Sequence, residues 1–306
     1  MRPLQLDWIA LVDLVVMTGL AVVCPMALGS SRFWRSAAPF VFVSFLLQSG
    51  PAAALLSGAW LVVALWQLGS AIGGIDVPSL RTARSSPGIL TPTGLRTSSG
   101  LDLVTVLGTR LCAVVASAFL VQSRGGLELL GVREPIVELT AVHFTFAGVG
   151  ALTLARQASR HVADRGVGQV AVLVTAVAPV IVAAGFLFSN PIPQVGGAVL
   201  MSVGALSTAA LQLHEARDSA RSRRGWLLLS GVMPWIPMVL AVSWAAANYW
   251  DVPALSIPDM ARTHGLMNVV FVIAGLLARR DDVLASLATT KVVATGPAHP
   301  AELGRS

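Results

Sequence analysis

Charge, lysine, cysteine and tyrosine are all scarce in this chain, and the shortages exclude whole classes of protein. Only 12% of the 306 residues are charged, about half the share of an ordinary soluble domain, so a water-facing surface cannot be built from them. Lysine occurs once, at Lys291, against twenty arginines, a ratio that reads as a high-GC coding bias. The net charge of +6 is spread over short connections and forms no groove-like patch, which argues against nucleic-acid binding. The two cysteines, Cys24 and Cys112, both lie in apolar runs. They imply no disulfide framework and read as small buried hydrophobes. Missing too are a phosphate-cradling GxxxxGK loop, HExxH, GxSxG and the Cys/His spacing of a zinc site, so no metal centre and no cofactor is expected. No internal repeat of the kind found in many transporters is visible.

What the chain has in abundance is apolar sequence: 55% hydrophobic residues and a mean hydropathy of +0.75. This predicts an all-α, polytopic transmembrane helix bundle whose first partner is the lipid bilayer. About 20 apolar residues cross the hydrocarbon core. On that ruler the spans are Asp7–Leu28, Phe33–Leu47, Ala52–Ala71, Leu103–Val121, Ile136–Leu154, Val167–Phe188, Gln194–Leu213, Trp226–Ala247 and Ala261–Ala278, nine in all, with the second the shortest. Residues 1–278 then form one transmembrane domain. Residues 74–100, rich in Pro, Gly and Ser, form an extramembrane loop, and 279–306 a cytoplasmic tail without fixed structure. Gly69 and Gly73 make a small-xxx-small spacing that would admit a close helix neighbour.

Arginine and lysine set the orientation. Alternate connections place sixteen on one side (Arg32, Arg35, Arg81, Arg84, Arg96, Arg156, Arg160, Arg165, Arg217, Arg221, Arg223, Arg224, Arg279, Arg280, Lys291, Arg305) and four on the other (Arg2, Arg124, Arg133, Arg262). The positive-inside rule then predicts the N-terminus outside and the C-terminus in the cytoplasm.

Against this apolar background a few polar residues stand out. His143 falls in ELTAVHFTFAGVG and His264 in DMARTHGLMN, each about 10 Å along a helix that would enter from outside. An ionisable group in hydrocarbon is a functional-site hypothesis by default. Asn268 shares the face of His264 one turn on, and Glu138 stands near the start of the fifth span. The sequence thus predicts one outer-half site of His143, His264, Asn268 and Glu138 that binds a ligand or exchanges protons. Asp13 and Arg110, on the first and fourth spans, are expected to form an intramembrane ion pair that holds helices in register. Ser256, Pro258 and Asp259 read as a helix start, the Ser as cap and the carboxylate three residues on.

At ELTAVHFTFAG and THGLMN the chain resembles the YndJ-like family of bacterial multi-pass membrane proteins. Its pattern, a Glu and His before an aromatic and Ala-Gly, then Thr-His-Gly followed by Asn, maps onto Glu138, His143, Phe144, Ala147 and Gly148, and onto Thr263, His264, Gly265 and Asn268. The chain departs from it at Thr145, where another His or polar aromatic partner is expected, and at Phe271-Val272, where Gly-Phe is expected. These departures argue against a three-ligand metal site. The resemblance implies a helical bundle in the bacterial cytoplasmic membrane and names no substrate.

Three functions fit these residues. The first is binding or transport of a small or lipidic ligand. The second is an intramembrane enzyme using Glu138 or a histidine as general acid or base on a lipid or isoprenoid, with Asn268 orienting it. The third is a haem b protein with both histidines as axial ligands. No complete catalytic constellation is visible, which puts binding or transport first. Oligomeric state is not legible in the sequence.

Overall fold

A computed structural model describes residues 7–29, 32–73, 100–128, 131–161 and 165–280. The loop and tail expected at 74–100 and 279–306 fall almost wholly outside these. Nine helices account for nearly all of what is described: α1 Trp8–Leu28, α2 Arg32–Leu46, α3 Pro51–Gly73, α4 Gly100–Gly125, α5 Ile136–Ser159, α6 Gly166–Leu187, α7 Pro191–Arg217, α8 Arg221–Ala247 and α9 Ile257–Leu277. Eight are long and apolar enough to cross a bilayer, so the chain is an integral membrane protein built as an all-helical bundle.

The exception is α2. Its 15 residues extend about 22 Å at 1.5 Å per residue, short of a hydrocarbon core of about 30 Å. What ends it is an arginine from another helix. The Arg124 guanidinium donates to the carbonyls of Ser44 (2.9 Å) and Leu47 (2.7 Å), two orphan acceptors of the last turn. The same guanidinium lies 4.9 Å from the ring centre of Phe45. The chain then turns at once into α3, and the Gly50 N–H donates to the Arg124 carbonyl at 2.8 Å.

α5 is the axis of the bundle. It packs against α1, α4, α6, α7 and α9, and 67% of its apolar window is buried, against 28–44% for the other spanning helices. Its neighbours accept it because the contact residues are small. A Cβ on Gly148 would stand 2.6 Å from the sulfur of Cys112 on α4, and one on Gly150 would stand 2.4 Å from Val272 on α9. Cys24 and Cys112 are buried free thiols, packed in an apolar core of aliphatic and aromatic residues.

The end of the bundle opposite Ile136 is tied by two carboxylates. Asp102 at the start of α4 accepts from Arg156 Nε at 2.7 Å and from Arg160, both at the end of α5. Glu215 at the end of α7 accepts from Arg279 Nη2 at 2.6 Å and from Arg223 at the start of α8, with His161 Nδ1 3.8 Å away. Arg279 is therefore packed against the helical bundle, 3% exposed, and α9 is anchored at its last turn.

Candidate functional site

α5 and two of the helices packed on it are locally underwound into π-helix: Gly19–Val23 in α1, Phe144–Ala151 in α5 and Ala261–Gly265 in α9. Such a segment inserts a residue into the helical ladder and redirects the side chains next to it, and it recurs at functional sites. Here one segment begins immediately after His143 and another contains His264. α1 and α5 touch through their π segments, and α9 packs on both helices.

The two imidazoles meet between α5 and α9. Their ring centroids are 6.1 Å apart and their planes 24° from parallel. Each ring is oriented by a backbone carbonyl. His143 Nδ1 lies 2.8 Å from the Leu139 oxygen, four residues back on its own helix. His264 Nδ1 lies 2.8 Å from the Pro237 oxygen on α8. A carbonyl can only accept, so Nδ1 carries the proton in both rings and, in the neutral tautomer, Nε2 presents its lone pair. Asn268 Nδ2 donates to His264 Nε2 at 3.2 Å and to the His264 carbonyl at 2.9 Å, which settles the orientation of its amide. His143 Nε2 has no hydrogen-bond partner among the described residues, and the His143 side chain is exposed. The arrangement is a fixed, half-buried imidazole–amide pair on α9 beside an accessible imidazole with a free acceptor on α5.

Glu138 is 7% exposed and its Oε1 finds no donor. Asp13 on α1 and Glu134 are the acidic groups that act on it. Asp13 and Arg110 do not form an ion pair. Arg110 instead donates to the Val106 oxygen of its own helix at 3.2 Å, and its Nε is buried without a partner. The reason is position along the bundle. Arg110 lies about 22 Å back along α4 from the α4–α5 connection, whereas α1, which carries Asp13, packs on the first turns of α5 after that connection.

Sequence reasoning missed three features of this region. The π segments leave no residue signature, because they depend on what the helix packs against. The acceptor for His264 is a backbone oxygen of Pro237 on another helix, α8, which the sequence does not place. Asp13 acts on Glu138 where α1 packs on α5, which only helix adjacency reveals.

The model that describes the YndJ-like protein family matches residues 10–273, a stretch that takes in every side chain of the site. Comparison with curated proteins and with solved structures gave no match. By its match over most of its length, the chain belongs to the YndJ-like protein family.

Proposed function

We propose that the protein binds, and moves across the membrane, a small or lipidic ligand at the site formed by His143, His264 and Asn268, with Glu138 and Asp13 at its edge. The observation that carries this reading is the exposed His143 ring, whose free Nε2 stands beside an imidazole held on both nitrogens. A polar acceptor of this kind within an apolar bundle is costly unless something hydrogen-bonds to it. A neutral donor such as a hydroxyl or an amide would satisfy it and stack on the paired rings. The sixteen-to-four charge count supports an arrangement of nine crossings with the N-terminus outside, α2 being a short crossing, in the bacterial cytoplasmic membrane. The site then lies in the outer half of the bilayer.

The test is to purify the wild-type protein and His143→Ala in lipid nanodiscs and identify by native mass spectrometry what co-purifies. A ligand carrying a hydroxyl or amide donor, retained by wild type and lost from the folded variant, supports binding. Recovery of the same adducts on both proteins rejects this site. A mass change in added lipid extract would assign catalysis instead, and a haem absorption band would assign the histidines to iron.

A further inference from the structure

We infer that Arg110 is a binding site for the phosphate of an anionic membrane lipid, taken from the leaflet at the Asp102 end of the bundle. Arg110 is half-buried within α4, and its guanidinium makes one hydrogen bond, from Nη1 to the Val106 oxygen at 3.2 Å. That oxygen stands four residues back and also serves the helical ladder, so a neutral, shared acceptor faces a full positive charge. Nε is buried and donates to nothing. No carboxylate among the described residues pairs with this guanidinium. Asp102, about two turns back on the same helix, is taken by Arg156 and Arg160, and Glu215 by Arg223 and Arg279. A guanidinium carries five N–H donors and keeps its proton. Most of the Arg110 donors, and all of its charge, are left for a group from outside the chain, and an arginine at such a depth in the membrane is costly without one.

The surroundings select a lipid over a dissolved anion. Gly108 and Cys112 face Leu152 and Gly148 of α5. Each is two residues from Arg110, which therefore projects from the side of α4 turned away from α5 and its histidine. Along that side stand Leu107 and Val114, one turn before and after it and partly exposed, with Leu111 beside them 49% exposed. This is surface for acyl chains. Arg110 lies about 15 Å along α4 from Gly100, too deep for its Cα to stand at an interface. Helical side chains lean toward the N-terminus, and the bond to Val106 shows this one doing so, which carries the guanidinium toward the headgroups at the Gly100 end. A lipid phosphate drawn slightly below its neighbours meets it there. Two phosphate oxygens match the fork of a guanidinium, and the chains below them run over Leu111 and Val114. In the orientation proposed above this is the inner leaflet.

The experiment is native mass spectrometry of the full-length protein in detergent, titrated with phosphatidylglycerol or with a neutral glycolipid of the same acyl chains. Wild type should hold one phosphatidylglycerol more firmly than any further copy, and more firmly than it holds the glycolipid. Arg110→Met should weaken that first binding by about tenfold or more, the size expected for a lost charge-assisted hydrogen bond. Arg224→Gln, which removes an exposed arginine at the same end of the bundle, should leave it in place. If Arg110→Met does not fold, the wild-type preference for the phosphate headgroup decides. Equal retention of the two lipids by wild type, or unchanged phosphatidylglycerol binding by folded Arg110→Met, would overturn the proposal. So would displacement of the lipid by an equal concentration of inorganic phosphate, because the site would then serve a dissolved anion.

Discussion

Gly185 on α6 lies so close to α7 that a Cβ added there would stand 2.3 Å from the backbone nitrogen of Gln194 and 2.4 Å from its Cα. Backbone cannot step aside as a side chain can. Gly185→Ala is expected to destabilise the bundle by about 1–3 kcal/mol, the usual cost of overpacking. Gly69→Ala and Gly73→Ala are expected to be silent, because nothing lies within 4 Å of a Cβ at either position. Thermal unfolding in detergent distinguishes them, and equal losses at all three positions would contradict the packing described.

Asp102 is the acceptor for two arginines and its side chain is only 5% exposed. Asp102→Ala leaves Arg156, itself 13% exposed, without its carboxylate. Breaking a buried pair from one side costs about 3–5 kcal/mol, so the variant should show a large drop in melting temperature and in membrane yield. Replacing Arg156 by Met in the same protein should recover part of the loss, since the guanidinium that Asp102 had served is then gone. A double variant worse than Asp102→Ala alone would argue against the pairing.

The Asn268 amide donates to the His264 ring as well as to its carbonyl, and His264→Ala removes the first of these bonds alone, whereas Asn268 and His143 share none. A thermal double-mutant cycle of His264→Ala with Asn268→Ala should therefore show coupling of about 0.5–1.5 kcal/mol. The corresponding cycle between Asp13→Ala and Arg110→Ala should be additive, since these two form no ion pair. Strong coupling in the second cycle would restore the ion pair that the sequence suggested.

The sidedness drawn from charge counting is tested by labelling. Glu128, in the α4–α5 connection, and Arg221, at the start of α8, are both exposed, at opposite ends of the bundle. In intact cells a membrane-impermeant maleimide should modify Glu128→Cys, and should reach Arg221→Cys only after permeabilisation. The reverse pattern would invert the topology.

What could be read from residues alone depended on whether the signal was local. Ser256 shows the local case: its side chain caps α9 by accepting the Asp259 N–H at 3.3 Å, as its spacing from Asp259 implies. The lengths of the apolar runs located the long helices to within a few residues for the same reason. α2 was placed correctly but its shortness has a distant cause, the Arg124 guanidinium that takes its last carbonyls. Gly69 and Gly73 have the spacing of a close helix contact, yet nothing lies near them, while Gly185, Gly197 and Gly204 bring the backbones of the α6–α7 hairpin together. Spacing alone cannot say which face meets a partner. At the site, helical rise set His143 and His264 at similar depths, and their ring centroids lie 6.1 Å apart. Their hydrogen-bond acceptors and the π segments were beyond reach, because both depend on neighbouring helices.

The central position of α5 also has a consequence for how the protein is made. The helix that is most enclosed by the others is synthesised midway, and one wall of its enclosure, α9, is the last helix described. When α5 leaves the ribosome, α1 is already waiting, but Val272 beside Gly150 and His264 beside His143 have yet to be translated. During that interval a nascent chain holds Glu138 and His143 in the bilayer with only part of their final surroundings. Truncation before residue 257 would make that unfinished state permanent, and membrane quality-control proteases should clear such a chain quickly.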